Sequence, residues 1–495
     1  MQLTLGEVAA VLGASCGAAE CIACDYSIDS RTLHPGSLFF AIRGPHFDGH
    51  DFVAQAFRRG AAGAVVERSF ATGLAAGGAS APAWVSALIP VDDTTSALQD
   101  LARMVRRRWG RRLVAVTGST GKTTTKELIA AVLGTRCSTH KSPGNLNNQY
   151  GVPLALLALQ PAHEAAVLEL GMSAAGEIAH LARLAEPQIG VVTNVAAAHL
   201  QFFSSVDAIA GAKRELIENL KCPATAVLNF DDERVRRFGE GFTGRIITFG
   251  FGEGAEIRAR DFRLEPGQEP DVPRSVFSVR TPRGATEFDL SLPGRHNVEN
   301  ALAAVAVAEV FDIPLRDVVE ALRHFQPLYQ RTEIVRLAEG AVVINDSYNS
   351  NPRAMEQMLD VLVAWPGAAR RIVVAGQMLE LGADSPELHR RIGRRLAERG
   401  VDLLIGVQGD AECFVEGAVA AGMPSGQARF FAAAAEAGRF CRGVVRPGDV
   451  ILVKGSRGVH LETVIELLRE SQPSAFGHQP SALGNRGSAF ELGAE

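Results

Sequence analysis

The segment "VAVTGSTGKTTTKELIAAVL" constrains the fold more than any other stretch of this chain. It reads as an apolar strand, a glycine loop, and then an amphipathic helix with Leu128, Ile129, Val132 and Leu133 on one side. A strand that ends in a glycine loop before a helix belongs to an α/β fold with a parallel sheet. Gly118 and Gly121 permit backbone paths that a Cβ would block. The loop N–H groups of Gly118, Ser119, Thr120, Gly121, Lys122, Thr123 and Thr124, together with the helix N-terminus, then face an anion. Lys122 is placed to reach terminal phosphates, and the Thr123 hydroxyl to hold Mg²⁺. The spacing is the compact G-x-x-G-K-T-T, with Val116 where the commoner loop has its first glycine. The expectation is a nucleoside triphosphate site, with ATP and Mg²⁺ as cofactors.

The rest of the chain divides around this loop. At about 150 residues per domain, 495 residues predict about three domains. From 1 to 92, strand-like "GSLFFAI" and "GAVVE" alternate with the helical spacing of "DFVAQAFRRG", and the Ala/Gly/Ser-rich 71–83 reads as a loop. From 93 to 326, "RLVAVTG", "AAVLELG" and "IGVVTNV" predict parallel strands covered on both faces. Alternating segments between about 222 and 292, such as "SVFSVRTPRGATEFDLSL", predict antiparallel strands inserted in that domain. From 327 to 470, "AVVIND", "RIVVAGQ", "VDLLIGVQ" and "DVILVKGS" predict a doubly wound, Rossmann-like unit. The Ser/Gly/Pro-rich 471–495 predicts a disordered tail.

Composition excludes several function classes. With 50 basic against 55 acidic residues, the net charge of −5 gives no general attraction to nucleic acid. The arginine run from Arg103 to Arg112 reads as a solvated helix end and linker. No apolar run approaches the ~18 residues of a membrane span, and the N-terminus lacks a basic n-region. Cys21 and Cys24 form a lone C-x-x-C with no second pair, so reduced thiols in a cytoplasmic protein are expected rather than zinc.

Three residues beyond the loop look like parts of a metal site. Glu169 ends an apolar strand, and His199 follows another; ligands bind at such carboxyl ends in open α/β sheets. Lys213 lies within the apolar stripe of "SSVDAIAGAKRELIENL", between Ile209 and Leu216. A lysine there must snorkel, pair or lose its charge. Burial lowers a lysine pKa, and a neutral amine can take up CO₂ as a carbamate, an anionic oxygen donor.

At this point the motifs "TGSTGKTTTKE", "GNLNNQYGVPLALL", "LELGMSAAGEI", "NVAAAHL", "LPGRHNVENALAA", "INDSYNSNP", "ELG" and "VKGSRG", in this order, resemble the Mur ligase family. The resemblance covers nearly the whole chain except the tail. It implies three α/β domains: an N-terminal UDP-sugar domain, a central ATPase domain, and a C-terminal Rossmann-like domain. It implies an ATP-dependent ligase of cell-wall peptide synthesis that joins D-alanyl-D-alanine to UDP-N-acetylmuramoyl-tripeptide through an acyl phosphate, and a monomer is expected. A sister ligase adding another amino acid is the alternative. The resemblance assigns the metal to Thr123, Glu169 and His199, with Lys213 as the carbamylated lysine. Lys122, Lys213, His199 and Arg331 would be catalytic, and Asn297, Arg331 and Asp346 would touch the nucleotide. Ser30, Arg31, Asp48, Gly49 and His50 match the UDP-sugar region. Asn145, Asn147 and Asn148 match the loop near the muramoyl peptide; Tyr348, Asn349, Lys454 and Arg457 match C-terminal motifs facing the site. The chain departs from the family at Gln330, where glycine is usual, and at Asn345 and Gln377.

Overall fold

The strand that leads into the phosphate loop, Arg112–Thr117, is buried from Leu113 onward, as a central parallel strand must be. In the computed structural model, which describes residues 1–75, 82–198, 200–267 and 272–470, it lies within a nine-stranded sheet. Thr139–Lys141, Ala165–Glu169, Arg112–Thr117, Ile189–Val192, Thr225–Asn229 and Arg245–Gly250 run parallel, in that spatial order. Ile257–Pro266 pairs parallel to the last of these at its start. It then turns the sheet antiparallel through Pro273–Thr281 and Gly284–Leu290. The antiparallel strands expected between about 222 and 292 are present and extend one edge of this sheet. An alanine-rich helix, Arg295–Val310, packs against the phosphate-loop helix Lys122–Leu133, its small side chains permitting close approach.

Besides a short pair of strands, Leu3–Thr4 with Ile22–Ala23, two further sheets accompany this one. Asp25–Ser27, Ser37–Phe40, Gly63–Glu67 and Leu88–Val91 form a four-stranded parallel sheet. Residues 71–75, expected to be loop, complete the helix Arg68–Ala75; residues 76–81 and the tail 471–495 lie outside the described residues. In the C-terminal region, Val342–Asn345, Asp449–Lys454, Arg370–Gly376, Leu403–Val407 and Ala428–Phe431 run parallel, with Glu333–Arg336 antiparallel at one edge. The whole is α/β, as the strand and helix alternation predicts.

The arginine run needs correction. The helix Thr94–Trp109 does end in arginines, but Arg106 is only 2% exposed. It donates to the carbonyls of Ala185 and Glu186 at 2.6 and 2.9 Å, closing the C-terminal end of helix Glu177–Ala185. A cation at a helix C-terminus is favourable there. The run thus contributes a buried anchor as well as solvated charge.

The same region carries an acid-sensitive pair. The rings of His140 and His163 lie 5.1 Å apart, and the chain's amino terminus donates nearby to the carbonyls of Leu157 and Leu159. Burial, then His163, pulls His140 from the ordinary 6.5 down to about 4. A folded-state pKa below the unfolded one gives stability that is complete above about 6.5 and is lost as pH falls toward 4. The thermal midpoint should therefore drop across that window, and His140→Gln should reduce the drop by ~2–4 °C. An unchanged slope in the variant would remove His140 from the account.

Candidate active site

The loop between strand and helix is held from the side by the end of the neighbouring strand, Ile189–Val192. Thr193 donates its hydroxyl to the Thr120 carbonyl at 2.7 Å. Asn194 accepts from the Thr120 N–H at 3.0 Å and donates back to the Thr120 carbonyl at 3.1 Å. The Ser119 N–H reaches the Asn194 carbonyl at 2.9 Å. Gly118 and Gly121 have φ of +151° and +79°, and a Cβ on either would overlap Thr193 or Asn300. The loop is therefore rigid before any anion arrives. Lys122 donates to the Gly118 carbonyl at 2.9 Å, folded back over the cradle. Burial lowers its pKa, Glu169 opposes that shift, and Arg331 adds to it.

On one side of the loop lies a small cavity lined by Thr120, Gly121, Asn194, His296, Glu299 and Asn300. Asn297 does not line it. Its amide is 2% exposed and bonded to Pro293 and Asn300, so it braces the helix start. His296, Glu299, Asn300, Thr193 and Asn194 escaped the sequence reading. The signal for the last two was present: they are polar residues at the carboxyl end of an apolar strand.

On the other side, Thr123 donates its hydroxyl to Glu169 at 2.8 Å. The second oxygen of Glu169 accepts from the Asn147 amide at 2.8 Å. Arg331 reaches in from the C-terminal region, with 3.3 Å between its guanidinium and the Thr123 hydroxyl. Lys213 is 1% exposed; burial first, then the charge of Lys122, holds its pKa well below the usual lysine range. His199 lies outside the described residues. The hydroxyl and carboxylate of Thr123 and Glu169 are hard oxygen donors. They suit Mg²⁺, which takes few protein oxygens and keeps water and phosphate for the rest.

The C-terminal candidates cluster beside Arg331. Tyr348 lies between two guanidinium groups, Arg331 at 4.1 Å and Arg457 at 5.5 Å from its ring centre. Such stacking is worth ~0.5–2 kcal/mol and fixes where a long side chain points. Lys454, 2% exposed, donates to Asp346 at 2.5 Å and to the Asn349 carbonyl at 2.8 Å. Burial pushes the Asp346 carboxyl up, but Lys454 and Arg331 outweigh it and hold the pKa below the ordinary value. Gln330, where a glycine was noted as usual, has φ +58°. The left-handed conformation explains the glycine and costs a glutamine ~1 kcal/mol or more.

Most of the other candidates bond to neighbouring groups of the chain. The ring nitrogens of His50 bond the Asp48 carboxylate at 2.6 Å and the Glu67 N–H at 2.9 Å, leaving it 5% exposed. Gly49 sits so close to the Ile42 backbone that a Cβ would lie 2.6 Å away. Ser30 bonds Gln55, while Arg31 pairs with Asp29 and remains exposed. Asn148 accepts from the N–H groups of Tyr150 and Gly151 and forms a turn; Asn145 is exposed. Asn349 accepts from the Ser350 N–H.

Three family models match in sequence order. Residues 26–106 match the Mur ligase family catalytic domain, 116–308 the Mur ligase middle domain, and 330–457 the Mur ligase glutamate ligase domain. A UDP-N-acetylmuramoyl-tripeptide–D-alanyl-D-alanine ligase of Bacillus subtilis is 34% identical over 445 residues, which are 90% of this chain and 92% of that protein. This chain belongs to the Mur ligase family. Among solved Mur ligases, MurF from Acinetobacter baumannii superimposes with a TM-score of 0.83 at 31% identity, covering 95% of this chain and 99% of that one. MurF from Thermotoga maritima, solved with ADP, gives 0.76 at 28% identity, covering 90% and 97%. Among the described residues of this Mur ligase, no helix is long and apolar enough to cross a membrane.

Proposed function

We propose that this Mur ligase joins D-alanyl-D-alanine to UDP-N-acetylmuramoyl-tripeptide at the expense of ATP. Residues 1–92 would receive the UDP-sugar, 93–326 the ATP, and 327–470 the dipeptide. The observation that carries the reading is the meeting at Thr123. There the phosphate-loop hydroxyl touches Glu169 of the same sheet and Arg331 of the C-terminal region. The likeness to dipeptide-adding relatives over nine-tenths of the chain supports the acceptor.

The tripeptide carboxylate attacks the γ-phosphorus, the bond to the bridging oxygen breaks, and ADP leaves. The dipeptide amine then attacks the acyl-phosphate carbonyl, sheds a proton, and inorganic phosphate departs. Two anions meet in the first step, so charge neutralisation carries most of the rate. Lys122 of the phosphate loop and Arg331 of the C-terminal region would supply it. Asn194 takes up the Ser119 and Thr120 N–H groups and so fixes the loop, which leaves the phosphates to the N–H groups at the start of helix Lys122–Leu133. Mg²⁺, held by Thr123 and Glu169 with His199, would supply further positive charge. Lys213 would act as a carbamate; its burial, which disfavours the ammonium form, supports that role. Closure of the C-terminal region keeps water from the acyl phosphate.

The test follows ADP release. Sustained ADP release should require both the UDP-muramoyl tripeptide and D-alanyl-D-alanine, the tripeptide alone giving at most one turnover. Turnover with neither, or with a single amino acid in place of the dipeptide, would overturn the assignment.

A further inference from the structure

One buried charge takes no part in the steps above. Lys126 follows Lys122 by four residues and projects from the same side of the phosphate-loop helix. Its side chain is fully buried. A lone ammonium in such a place is costly unless its three N–H groups all find acceptors. Here two donate, to the Ser142 carbonyl at 2.7 Å and the Gly144 carbonyl at 2.9 Å, and the Glu127 carboxylate lies 3.2 Å away as an ion pair. Glu127 is shared with Lys141.

The two carbonyls belong to the base of the 142–148 segment, and that segment ends at the reaction site. Its Asn147 amide donates to Glu169 at 2.8 Å, and its Asn147 carbonyl accepts from the Gly171 N–H at 2.8 Å. The seat is tight, since a Cβ on Gly171 would come 2.8 Å from the Asn147 amide. At the other end, the Ser142 hydroxyl accepts from the Glu169 N–H at 3.3 Å. Neither Glu169 nor Asn147 lines the cavity formed by Thr120, Gly121 and Asn300. The segment therefore borders Glu169 and, through it, the Thr123 hydroxyl rather than that cavity.

We propose that Lys126 is a positioning residue for the acyl donor. It fixes the height of the 142–148 segment over the phosphate-loop helix, so that Asn145 and Asn147 meet the peptide carboxylate in line with the phosphate. This rests on the ligase reading above. A lysine is suited to the task because one point charge can bridge two carbonyls of irregular backbone and a carboxylate at once.

Lys126→Met keeps the aliphatic stem and removes the donors. The KM for UDP-N-acetylmuramoyl-tripeptide should rise about 10–100-fold, the effect of losing hydrogen bonds from a charged group. The KM for ATP should change less than ~3-fold. Amide hydrogen exchange across 142–148 should speed up, while helix Gly151–Leu157 keeps its protection. Combined with Asn147→Ala, the two changes should be less than additive in that KM, because both act through one segment. Equal rises in both KM values, additivity, or unaltered exchange across 142–148 would overturn the proposal. If Lys126→Met does not fold, Lys126→Gln, which retains part of the donor set, is read in the same way. Exchange needs no substrate, so it decides the role of Lys126 even if the wild-type protein leaves the tripeptide untouched and the ligase reading falls.

Discussion

Replacing Lys213 by alanine should lower kcat/KM for ligation by ~10³-fold or more, the scale of losing a charge aimed at the reacting phosphate. The residue sits in the buried face of helix Val206–Glu218 with Ile209, Leu216 and Ile217 around it. Burial disfavours an ammonium there, and Lys122 repels one. A carbamate reverses the sign of the group and turns repulsion toward Lys122 into attraction. Two readouts separate this from damage to packing. Short carboxylates such as formate or acetate should restore part of the activity of Lys213→Ala by occupying the vacated space. Withholding CO₂ and bicarbonate should slow the wild-type enzyme and leave the variant unchanged. Full activity in Lys213→Ala would sink the carbamate role.

The second large effect is one of stability. Lys454→Met should cost about 3–5 kcal/mol, because it strands a buried carboxylate rather than removing a pair. Asp346 accepts from the Thr332 N–H at 3.0 Å as well as from Lys454, so it is locked in place and cannot turn to solvent. Denaturant unfolding monitored on the C-terminal region would measure the loss. Asp346→Asn in the same background should recover part of it, since a neutral amide tolerates burial better. A loss under ~1 kcal/mol would mean the pair is solvated more than its geometry implies.

The phosphate loop was legible because its chemistry and its fold need the same residues. Glycine, lysine and threonine at fixed spacing between a strand and a helix leave little else to build. Lys213 was legible for the opposite reason, as a charge where the periodicity demands an apolar side chain. Structural and ligand-facing roles among the other motif residues were harder to separate. Asn351 and Pro352 of "SNP" start a helix, the asparagine capping the Ala354 N–H at 2.9 Å. His50 and Asn297 look like ligand-binding residues, yet their polar atoms are bonded internally. Residue type cannot distinguish a side chain facing a ligand from one facing its own backbone; only the partner does. Asn300 was missed because the phosphate-loop helix residue it bonds, Thr125, lies 175 residues away in sequence.

The crowding behind Gly118 and Gly121 has a consequence for selection under drugs. Thr193 and Asn300 already occupy the volume that any side chain at those positions would enter. A compound that binds the loop N–H groups directly would press on atoms that no substitution of the two glycines can withdraw without displacing a neighbouring strand or helix. Escape from such a compound would have to arise elsewhere, at the cavity wall formed by His296 and Glu299, where side chains can still change.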